Sequence, residues 1–507
     1  MSAKLLGIDV GTGGTRAVLI GRDGKVVASR TADHVPFASP ETGWAEQDPR
    51  DWWRATCDAV KQVMTNTATE PSEVAAVGFS GQMHGAVLLD AAGEVLRPAL
   101  IWCDQRTAEE ARELTAQIGE EQIIGWTCNP ALSNFTLTKL LWVRKHEPAL
   151  FQRFRTLLLP KDYVRYRLTG EYGMDVTDAS GTLLLDVAKR HWSAEMARAT
   201  DLDCNCLPPL FESPDVCAAI SEAGAAATGL QKGTPVVAGA GDQAAGAVGL
   251  GIVSPGAVHA TIGTSGVVFA ATDRPALDSK GRLHTFCHAI PGRWHVMGVT
   301  QSAGLSLRWF RDNFGTRGED SRDPYEQLSD EAAAVPPGCD GVLWSPYLMG
   351  ERTPHLDPHA RAALIGLAAS HGRAHVIRAI LEGVAFSLRD SFSIFAEMKI
   401  PVTSIRLGGG GARSPIWRQI QADVYGHAVE VVEAEEGAAY GAALLAGVGA
   451  GVWSNVAEAC QTAVRVAKQV EPQSASSAVM NQQYQLYRRI YPALRDIRRT
   501  ANSSAVA

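Results

Sequence analysis

The stretch Gly7-Ile8-Asp9-Val10-Gly11-Thr12-Gly13-Gly14-Thr15-Arg16 decides the fold of this chain, because its outline recurs about one domain later. The second copy reads Ala260-Thr261-Ile262-Gly263-Thr264-Ser265-Gly266-Val267-Val268. Each copy is an apolar β-type run, a turn of Gly, Thr and Ser, and a second β-type run. Glycine-rich turns leave backbone N–H groups unobstructed, and a row of such groups binds phosphate oxygens. Two copies therefore predict two related halves that close on one polyphosphate.

The length of 507 residues exceeds what one hydrophobic core usually supports, so we expect two large domains. Glycine and proline concentrate near residues 245–256, and we divide the chain there into 1–247 and 248–507. The hydrophobic fraction of 46% is ordinary for a globular protein. The net charge of −7 argues against a nucleic-acid partner, although backbone turns can still hold an anion.

Cysteine usage and hydropathy predict a cytoplasmic protein without a membrane partner. The nine cysteines show no paired zinc spacing, which favours reduced thiols. No cationic and apolar leader opens the chain. The most membrane-like run, residues 437–453, is rich in Gly and Ala and shorter than the roughly 20 residues that a span needs. We expect a close-packed helix there.

Strand, turn and helix signals alternate along the chain, which predicts α/β layers. In the first half, Asp48-Pro49 opens a helix whose buried face is expected to carry Trp53, Cys57, Val60 and Met64. The second half restarts with a strand at 235–240. A long helix near 374–395, a strand at 402–407, a glycine turn and a helix at 413–425 follow it.

Asp9 and Asp242 both follow predicted strands, where α/β proteins place their ligands. Asp9 precedes the first glycine turn and is well placed to hold Mg²⁺ beside bound phosphates; the alternative is that it caps its own turn. Asp242 can accept a proton from an attacking hydroxyl, and it can also act as the N-cap of the following helix.

Two further glycine motifs follow strands. The run Gly408–Gly411 opens a helix and is a natural site for the adenosine side of a nucleotide, or for tight strand–helix packing. The run Gly239–Ala244 fits the dinucleotide fingerprint G-x-G-x-x-A. That fingerprint calls for an acidic residue about 20 positions later, and residues 245–272 contain no Asp or Glu, which disfavours a dinucleotide site.

Polar and aromatic residues that could bind a polyol follow the predicted strand at 74–79. Gln82-Met83-His84 offers amide and imidazole groups, and Trp102-Cys103-Asp104 offers an aromatic wall and an acceptor. A lone His or Trp is more often structural, so these residues gain weight only from their neighbours.

Together these segments resemble the FGGY family of carbohydrate kinases over nearly the whole chain, from Leu6 to about Leu445. The most specific segments are 44–49 (WAEQDP), 81–85 (GQMHG), 159–163 (LPKDY), 263–267 (GTSGV) and 347–355 (YLMGERTPH). The resemblance implies a two-lobed, actin-like or ribonuclease H-like sugar-kinase fold. ATP and Mg²⁺ are then expected in a central cleft, and the sugar mainly on the N-terminal lobe.

The resemblance also implies residue roles. Asp242 corresponds to a general base that takes the proton from the C5 hydroxyl of D-xylulose, and Asp9 to the Mg²⁺-linked carboxylate. Sugar contacts correspond to Met83, His84, Trp102, Asp104, Asp242 and Gln243. Nucleotide contacts correspond to Gly11, Thr12, Gly13 and Arg16 in the first hairpin, Gly263, Thr264 and Ser265 in the second, and Gly410, Gly411 and Ala412 on the adenosine side.

Two departures from the family pattern bear on the substrate. Many family members that use D-xylulose have Asn after the catalytic Asp, whereas this chain has Gln243, whose side chain is one methylene longer. The first turn reads Thr-Gly-Gly where Thr-Ser-Gly is commoner. A kinase for another ketose or polyol, such as D-ribulose, and a non-kinase ATPase of the actin or chaperone type stay open as alternatives, as does a homodimer.

Overall fold

The computed structural model describes residues 3–315 and 322–504, with side chains as far as residue 497. Two seven-stranded sheets organise the chain. The N-terminal sheet contains Lys4–Val10, Gly14–Ile20, Val26–Asp33, Val74–Gly81, Val216–Ala219, Pro235–Val237 and Ala240–Gly241. The C-terminal sheet contains Ala257–Ile262, Gly266–Thr272, His284–Cys287, Trp294–Thr300, Ser404–Gly409, Val429–Val432 and Val466–Val470.

Each sheet is built around the same unit. In the N-terminal sheet, Lys4–Val10 pairs antiparallel with the strand that follows its glycine turn and parallel with Val74–Gly81. In the C-terminal sheet, Ala257–Ile262 pairs antiparallel with the strand after its own turn and parallel with Ser404–Gly409. The prediction of two related halves, each carrying a glycine-turned hairpin, is confirmed.

Helices cover the sheets and connect their strands. Several were predicted from the sequence, among them Pro49–Asn66, Arg373–Glu397 and Pro415–Tyr425. The other α-helices are Ala108–Ile118, Glu120–Thr127, Thr136–His146, Pro148–Phe151, Pro160–Thr169, Val176–Ala179, Ala194–Ala199, Glu222–Thr228, Asp242–Gly249, Gly304–Phe314, Pro324–Ala333, Gly437–Gly449, Val456–Ala463, Ser474–Tyr487 and Ile490–Ser504. In the described part of the chain, every helix is too short or too polar to cross a bilayer.

Short elements complete the framework. The 3₁₀ turns are Pro71–Glu73, Ser180–Thr182, Cys204–Cys206, Cys339–Gly341 and Gly410–Ala412. Two-stranded pairs join Glu46–Gln47 to Ala99–Leu100, Val87–Leu89 to Thr156–Leu158, Met174–Asp175 to Leu210–Phe211, Leu185–Asp186 to His191–Trp192, and Leu343–Ser345 to Ala363–Ile365. All nine cysteines are free thiols, as predicted.

One expectation about the first helix was wrong. Cys57, Val60 and Met64 are buried as predicted, but Trp53 is only half-buried, and its neighbour Trp52 is fully enclosed. Trp52 donates a hydrogen bond from Nε1 to Gln47 Oε1 at 3.1 Å. A buried indole N–H needs such a partner, and that partner lies outside the helix, where helical periodicity cannot reveal it.

The helix Gly437–Gly449 joins the two halves. It lies in sequence between two strands of the C-terminal sheet, Val429–Val432 and Val466–Val470, yet it packs in the same apolar cluster as residues of the N-terminal sheet. A Cβ atom on Gly7 would lie 1.9 Å from the Ala439 carbonyl oxygen, and one on Gly441 would lie 1.8 Å from the Ala245 carbonyl oxygen. Glycine is therefore required at both contacts, because any side chain would force these elements apart. The close-packed helix expected near 437–453 is confirmed.

We expect Gly441→Ala to destabilise the protein by about 1–3 kcal/mol, because overpacking must displace one of the two contacting helices. Gly125→Ala is the matched control: Gly125 also lies in a helix, but a Cβ there meets nothing within 4 Å. The control should raise stability by about 0.5–1 kcal/mol, since alanine favours the helix. Thermal denaturation measures both, and a Gly441→Ala variant as stable as the control would contradict the packing argument.

Candidate functional site

Two acidic side chains from distant parts of the sequence meet in one cavity. Asp9 is the penultimate residue of the first strand, and Asp242 begins the helix Asp242–Gly249. Both line a cavity of about 800 Å³ that also includes Gln243 and the glycine turn at 408–410. The expectation that these carboxylates share one crevice is confirmed.

Both carboxyl groups have raised pKa values. Burial raises the pKa of Asp242 to about 7, and the negative charge of Asp9 adds to that shift. Burial also raises the pKa of Asp9, while the Ser80 hydroxyl and Arg16, its cross-strand neighbour, act in the opposite direction. Two acids that line one cavity, one of which raises the pKa of the other, favour a bound cation.

The donor set fits Mg²⁺. The Oδ1 atom of Asp9 is buried beside Ser80 on the adjacent strand, whose hydroxyl lowers the pKa of this carboxyl group. Mg²⁺ binds oxygen donors, often through one or two carboxylates together with substrate phosphates. Asp9 is the residue that would hold it.

A second cavity, of about 950 Å³, adjoins the first and shares Gly410, Arg413 and Glu435 with it. Gly263 and Thr264 of the second hairpin and Gly411 line this cavity, so the structure brings these predicted nucleotide residues together. Ala412 lines the carboxylate cavity instead. Ser265 lies in the same turn as Gly263 and accepts a 2.9 Å hydrogen bond from the Gly263 N–H group through its carbonyl.

The opposite wall of the second cavity was not anticipated from the sequence. It is formed by helix residues that include Leu307, Arg308, Tyr325 and Trp417. Its one sequence signal is Gly304, whose N–H group donates to the Gly263 carbonyl at 2.8 Å and where a Cβ would lie 2.4 Å from the same oxygen. The helix Gly304–Phe314 is thus fastened to the second glycine turn.

The first glycine turn lies outside the residues that line the two cavities, and side chains from three segments hold it. Thr12 accepts a hydrogen bond from Trp102 Nε1 at 2.9 Å, and its carbonyl accepts one from Gln47 Nε2 at 2.8 Å. Gln82 Nε2 donates to the Gly11 carbonyl at 3.3 Å. A Cβ on Gly13 would meet nothing within 4 Å, so this part of the turn stays open to a ligand.

His84 is held in a defined protonation state. Its Nδ1 lies 2.7 Å from the Gly181 carbonyl oxygen, which can only accept, so Nδ1 carries the proton and Nε2 is an acceptor. Burial lowers the pKa of His84 to about 3 and keeps the ring neutral. Its carbonyl accepts a hydrogen bond from the buried Lys139 at 2.8 Å. A sugar hydroxyl is a suitable donor to such a ring.

Met83 connects this histidine to the carboxylates. A Cβ on Gly241 would lie 3.0–3.2 Å from three atoms of the Met83 side chain, and Gly241 immediately precedes Asp242. The predicted sugar contacts Met83 and His84 therefore lie on the Asp242 side of the site, and Gln243 lines the same cavity as Asp242.

Trp102 and Asp104 differ in what they can offer a ligand. The indole of Trp102 is 40% exposed and is tied to the first turn through Thr12. Asp104 is fully buried, and both of its oxygens already accept hydrogen bonds from Arg106, with a further one from the Ala45 N–H group at 2.7 Å. The geometry thus gives Asp104 a structural role, and we leave it out of the sugar contacts proposed below.

The motif at 347–355 brings the C-terminal half to the sugar side. Arg352 lies close enough to His84 that its charge helps to keep the pKa of that histidine low, after the larger effect of burial. Its Nη1 atom lies 3.1 Å from His284 Nε2, which accepts because burial lowers the pKa of His284. The N–H group of Thr353 donates to the Val299 carbonyl at 3.0 Å, which anchors the motif.

Comparison with known proteins agrees with this geometry. Residues 4–249 match the N-terminal domain of the FGGY family of carbohydrate kinases, and residues 258–450 match its C-terminal domain. This chain belongs to the FGGY family of carbohydrate kinases. The resemblance noted in the sequence is confirmed.

Individual relatives cover almost the whole chain. A xylulose kinase of Bacillus subtilis (strain 168) is 38% identical over 97% of both chains. A xylulose kinase of Escherichia coli (strain K12) is 42% identical over 88% of this chain and 90% of its own. The crystal structure of xylulose kinase from Rhodospirillum rubrum superimposes with a TM-score of 0.89, at 30% identity, over 98% of this chain and 100% of that one. The predicted two-lobed fold is confirmed.

The pKa of Asp242 predicts how activity depends on pH. A carboxylate that accepts a proton must be ionised, and a group with a pKa of about 7 is mostly protonated below that pH. We expect kcat/KM for the sugar to fall about tenfold per pH unit well below pH 7 and to level off above it. Initial rates at saturating nucleotide check this, with thermal stability followed across the same range. A flat profile for a stable protein would contradict it.

Proposed function

We propose that this chain transfers the terminal phosphoryl group of ATP to the C5 hydroxyl of D-xylulose, with Asp242 as general base. The observation that carries the proposal is the convergence of Asp9 and Asp242 in one cavity, next to a larger cavity lined by glycine turns. The comparisons support the same substrate, since the relatives described above are named as xylulose kinases.

In the proposed reaction the C5 oxygen forms a bond to the γ-phosphorus, and the bond from that phosphorus to the leaving oxygen of ADP breaks. The hydroxyl proton passes to the Asp242 carboxylate. An Asp is a weak base toward an alcohol, so its main task is to orient the hydroxyl and to take the proton late. Most of the rate then comes from positioning and from charge stabilisation.

The remaining predicted residues divide between the two substrates. Met83, His84, Trp102 and Gln243 are proposed to contact the sugar. The nucleotide is proposed to contact Gly11, Thr12, Gly13, Arg16, Gly263, Thr264, Ser265, Gly410, Gly411 and Ala412. Mg²⁺ held by Asp9 would neutralise charge on the phosphates. The division of the chain at residue 247 stays a prediction. The helix Gly437–Gly449 belongs to the second half in sequence but packs on the N-terminal sheet, so packing does not follow that division.

The decisive variant is Asp242→Asn, which keeps the shape of the side chain and removes the base. We expect it to fold and bind ATP but to lose sugar phosphorylation by about 10²–10⁴-fold, the usual contribution of general base catalysis. A coupled assay of ADP release with D-xylulose measures the rate, and nucleotide binding is the control for folding. Near-normal turnover would remove Asp242 from this role.

The identity of the sugar is tested with a panel of acceptors. We expect D-xylulose to give a higher kcat/KM than D-ribulose, and ADP release without sugar to be slow because lobe closure excludes water. Gln243→Asn restores the shorter side chain common in the family and tests whether this position sets the preference. A higher kcat/KM for D-ribulose would change the assigned substrate, and fast sugar-independent ATP hydrolysis would favour an ATPase.

A further inference from the structure

The segment Asp175–Thr182 lies between the proposed sugar histidine and the proposed base, and it contacts both sides. At one end, the Gly181 carbonyl accepts the hydrogen bond from His84 Nδ1 at 2.7 Å. At the other, the hydroxyl of Thr177 accepts a hydrogen bond from the Gly241 N–H group at 2.9 Å. Gly241 is the residue immediately before Asp242.

The hydroxyl of Thr177 has a fixed orientation. It donates its hydrogen to Asp175 Oδ1 at 2.5 Å, which leaves its lone pairs to face the Gly241 N–H group. The same Asp175 oxygen accepts the backbone N–H groups of Thr177 and Asp178, so Asp175 caps the short helix Val176–Ala179. Thr177 is fully buried, and bulk water cannot replace it as an acceptor.

A buried ion cluster holds Asp175 in turn. Lys161 Nζ lies 2.6 Å from Asp175 and from Asp162, and 3.2 Å from Asp178; Arg165 pairs with Asp162 at 3.1 Å. All five side chains are at most 1% exposed. Burial raises the pKa of Asp178 well above its usual value, and it also raises that of Asp162, while the charge of Lys161 acts in the opposite direction on both. Such a cluster has few alternative arrangements, because any displacement leaves a buried charge unpaired.

The backbone that leads into Asp242 is rich in glycine, and hydrogen bonds with the ion cluster and with Thr177 restrain it. Gly239 and Gly241 flank Ala240, and glycine has the widest choice of backbone conformations of any residue. Strand pairing with Ser80 and Gly81 restrains Ala240–Gly241, and the Thr177 hydroxyl supplies the partner of the Gly241 N–H group. Arg165 Nη1 also donates to the Ala238 carbonyl at 2.6 Å, so the same cluster fixes the start of this glycine-rich stretch.

We propose that Thr177 is a positioning residue for Asp242 and that the segment Asp175–Thr182 sets the spacing between Asp242 and His84. The proposal rests on the proposed function, because it assigns to Asp242 and His84 the roles given there. Thr177 acts through Gly241 and need not contact the sugar. The hydrogen bond to Gly241 links the ion cluster around Lys161 to the general base.

The test compares Thr177→Val, which keeps the shape and removes the hydroxyl, with Thr177→Ser, which keeps the hydroxyl. We expect kcat for sugar phosphorylation to fall about 10- to 100-fold in Thr177→Val, the effect of misplacing a catalytic group by roughly 1 Å. KM for ATP should be unchanged, and Thr177→Ser should retain a kcat near that of the parent. If Thr177→Val folds poorly, Thr177→Ala is the second variant. It removes the same hydroxyl with a smaller side chain and should show the same loss of kcat.

The matched control is Thr228→Val. Thr228 is also buried, donates to the Gly224 carbonyl at 2.7 Å and accepts from the Leu230 N–H group at 3.3 Å, but it lies outside the lining of both cavities. The Thr228→Val substitution should lower the melting temperature and leave kcat unchanged. If Thr177→Val behaves like Thr228→Val, the inference is overturned. An inactive Asp242→Asn with a fully active Thr177→Val would refute the positioning role alone, whereas an active Asp242→Asn would refute the proposed function itself.

Discussion

The close approach of three backbone segments is the constraint on which the site depends. The helix Gly437–Gly449 contacts the first strand at Gly7 and the helix Asp242–Gly249 at Ala245. A Cβ atom on Gly7 in the first contact, or on Gly441 in the second, would have no space. Gly7 lies two residues before Asp9, and Ala245 lies three residues after Asp242. One helix therefore sets the separation of the two carboxylates, although it supplies neither of them. A larger residue at Gly7 or Gly441 would push the backbone segments apart and so increase the distance between Asp9 and Asp242.

The electrostatics of the site complement what is proposed to bind there. Burial raises the pKa values of both Asp9 and Asp242, the charge of Asp9 adds to the shift of Asp242, and a divalent cation would favour the ionised forms. The neutral, acceptor-only Nε2 of His84 suits a hydroxyl rather than an anion. The two sides of the site are thus tuned for different chemical groups, as a transfer between a polyphosphate and an alcohol requires.

Much of this could be predicted from the sequence, because the signals are local. Both hairpins, the strand-end positions of Asp9 and Asp242 and the helix near 437–453 follow from turn residues and small-residue patterns. What could not be predicted depends on contacts that strand and helix periodicity does not describe. Periodicity placed Trp53 inside, yet the buried indole is Trp52, whose partner Gln47 precedes the helix.

The roles of Asp104 and of the segment Asp175–Thr182 could likewise not be predicted from local sequence patterns. Arg106 lies only two positions from Asp104, but the Ala45 N–H group that shares its Oδ2 atom comes from 59 positions earlier in the chain. The segment Asp175–Thr182 carries no motif of chemistry, and its importance comes only from its contacts with Gly241 and His84, which lie 64 and 97 positions from their partners. The far wall of the second cavity likewise consists of helix residues from separate segments.

The hydrogen bonds that hold the first glycine turn increase the affinity that the turn can have for a ligand. Trp102, Gln47 and Gln82 hold this turn through hydrogen bonds within the chain, so the entropy lost in ordering it belongs to folding and not to complex formation. The intrinsic affinity of its backbone N–H groups for phosphate is then expressed almost in full. A polyphosphate that binds there would meet a turn whose shape hydrogen bonds within the chain already define.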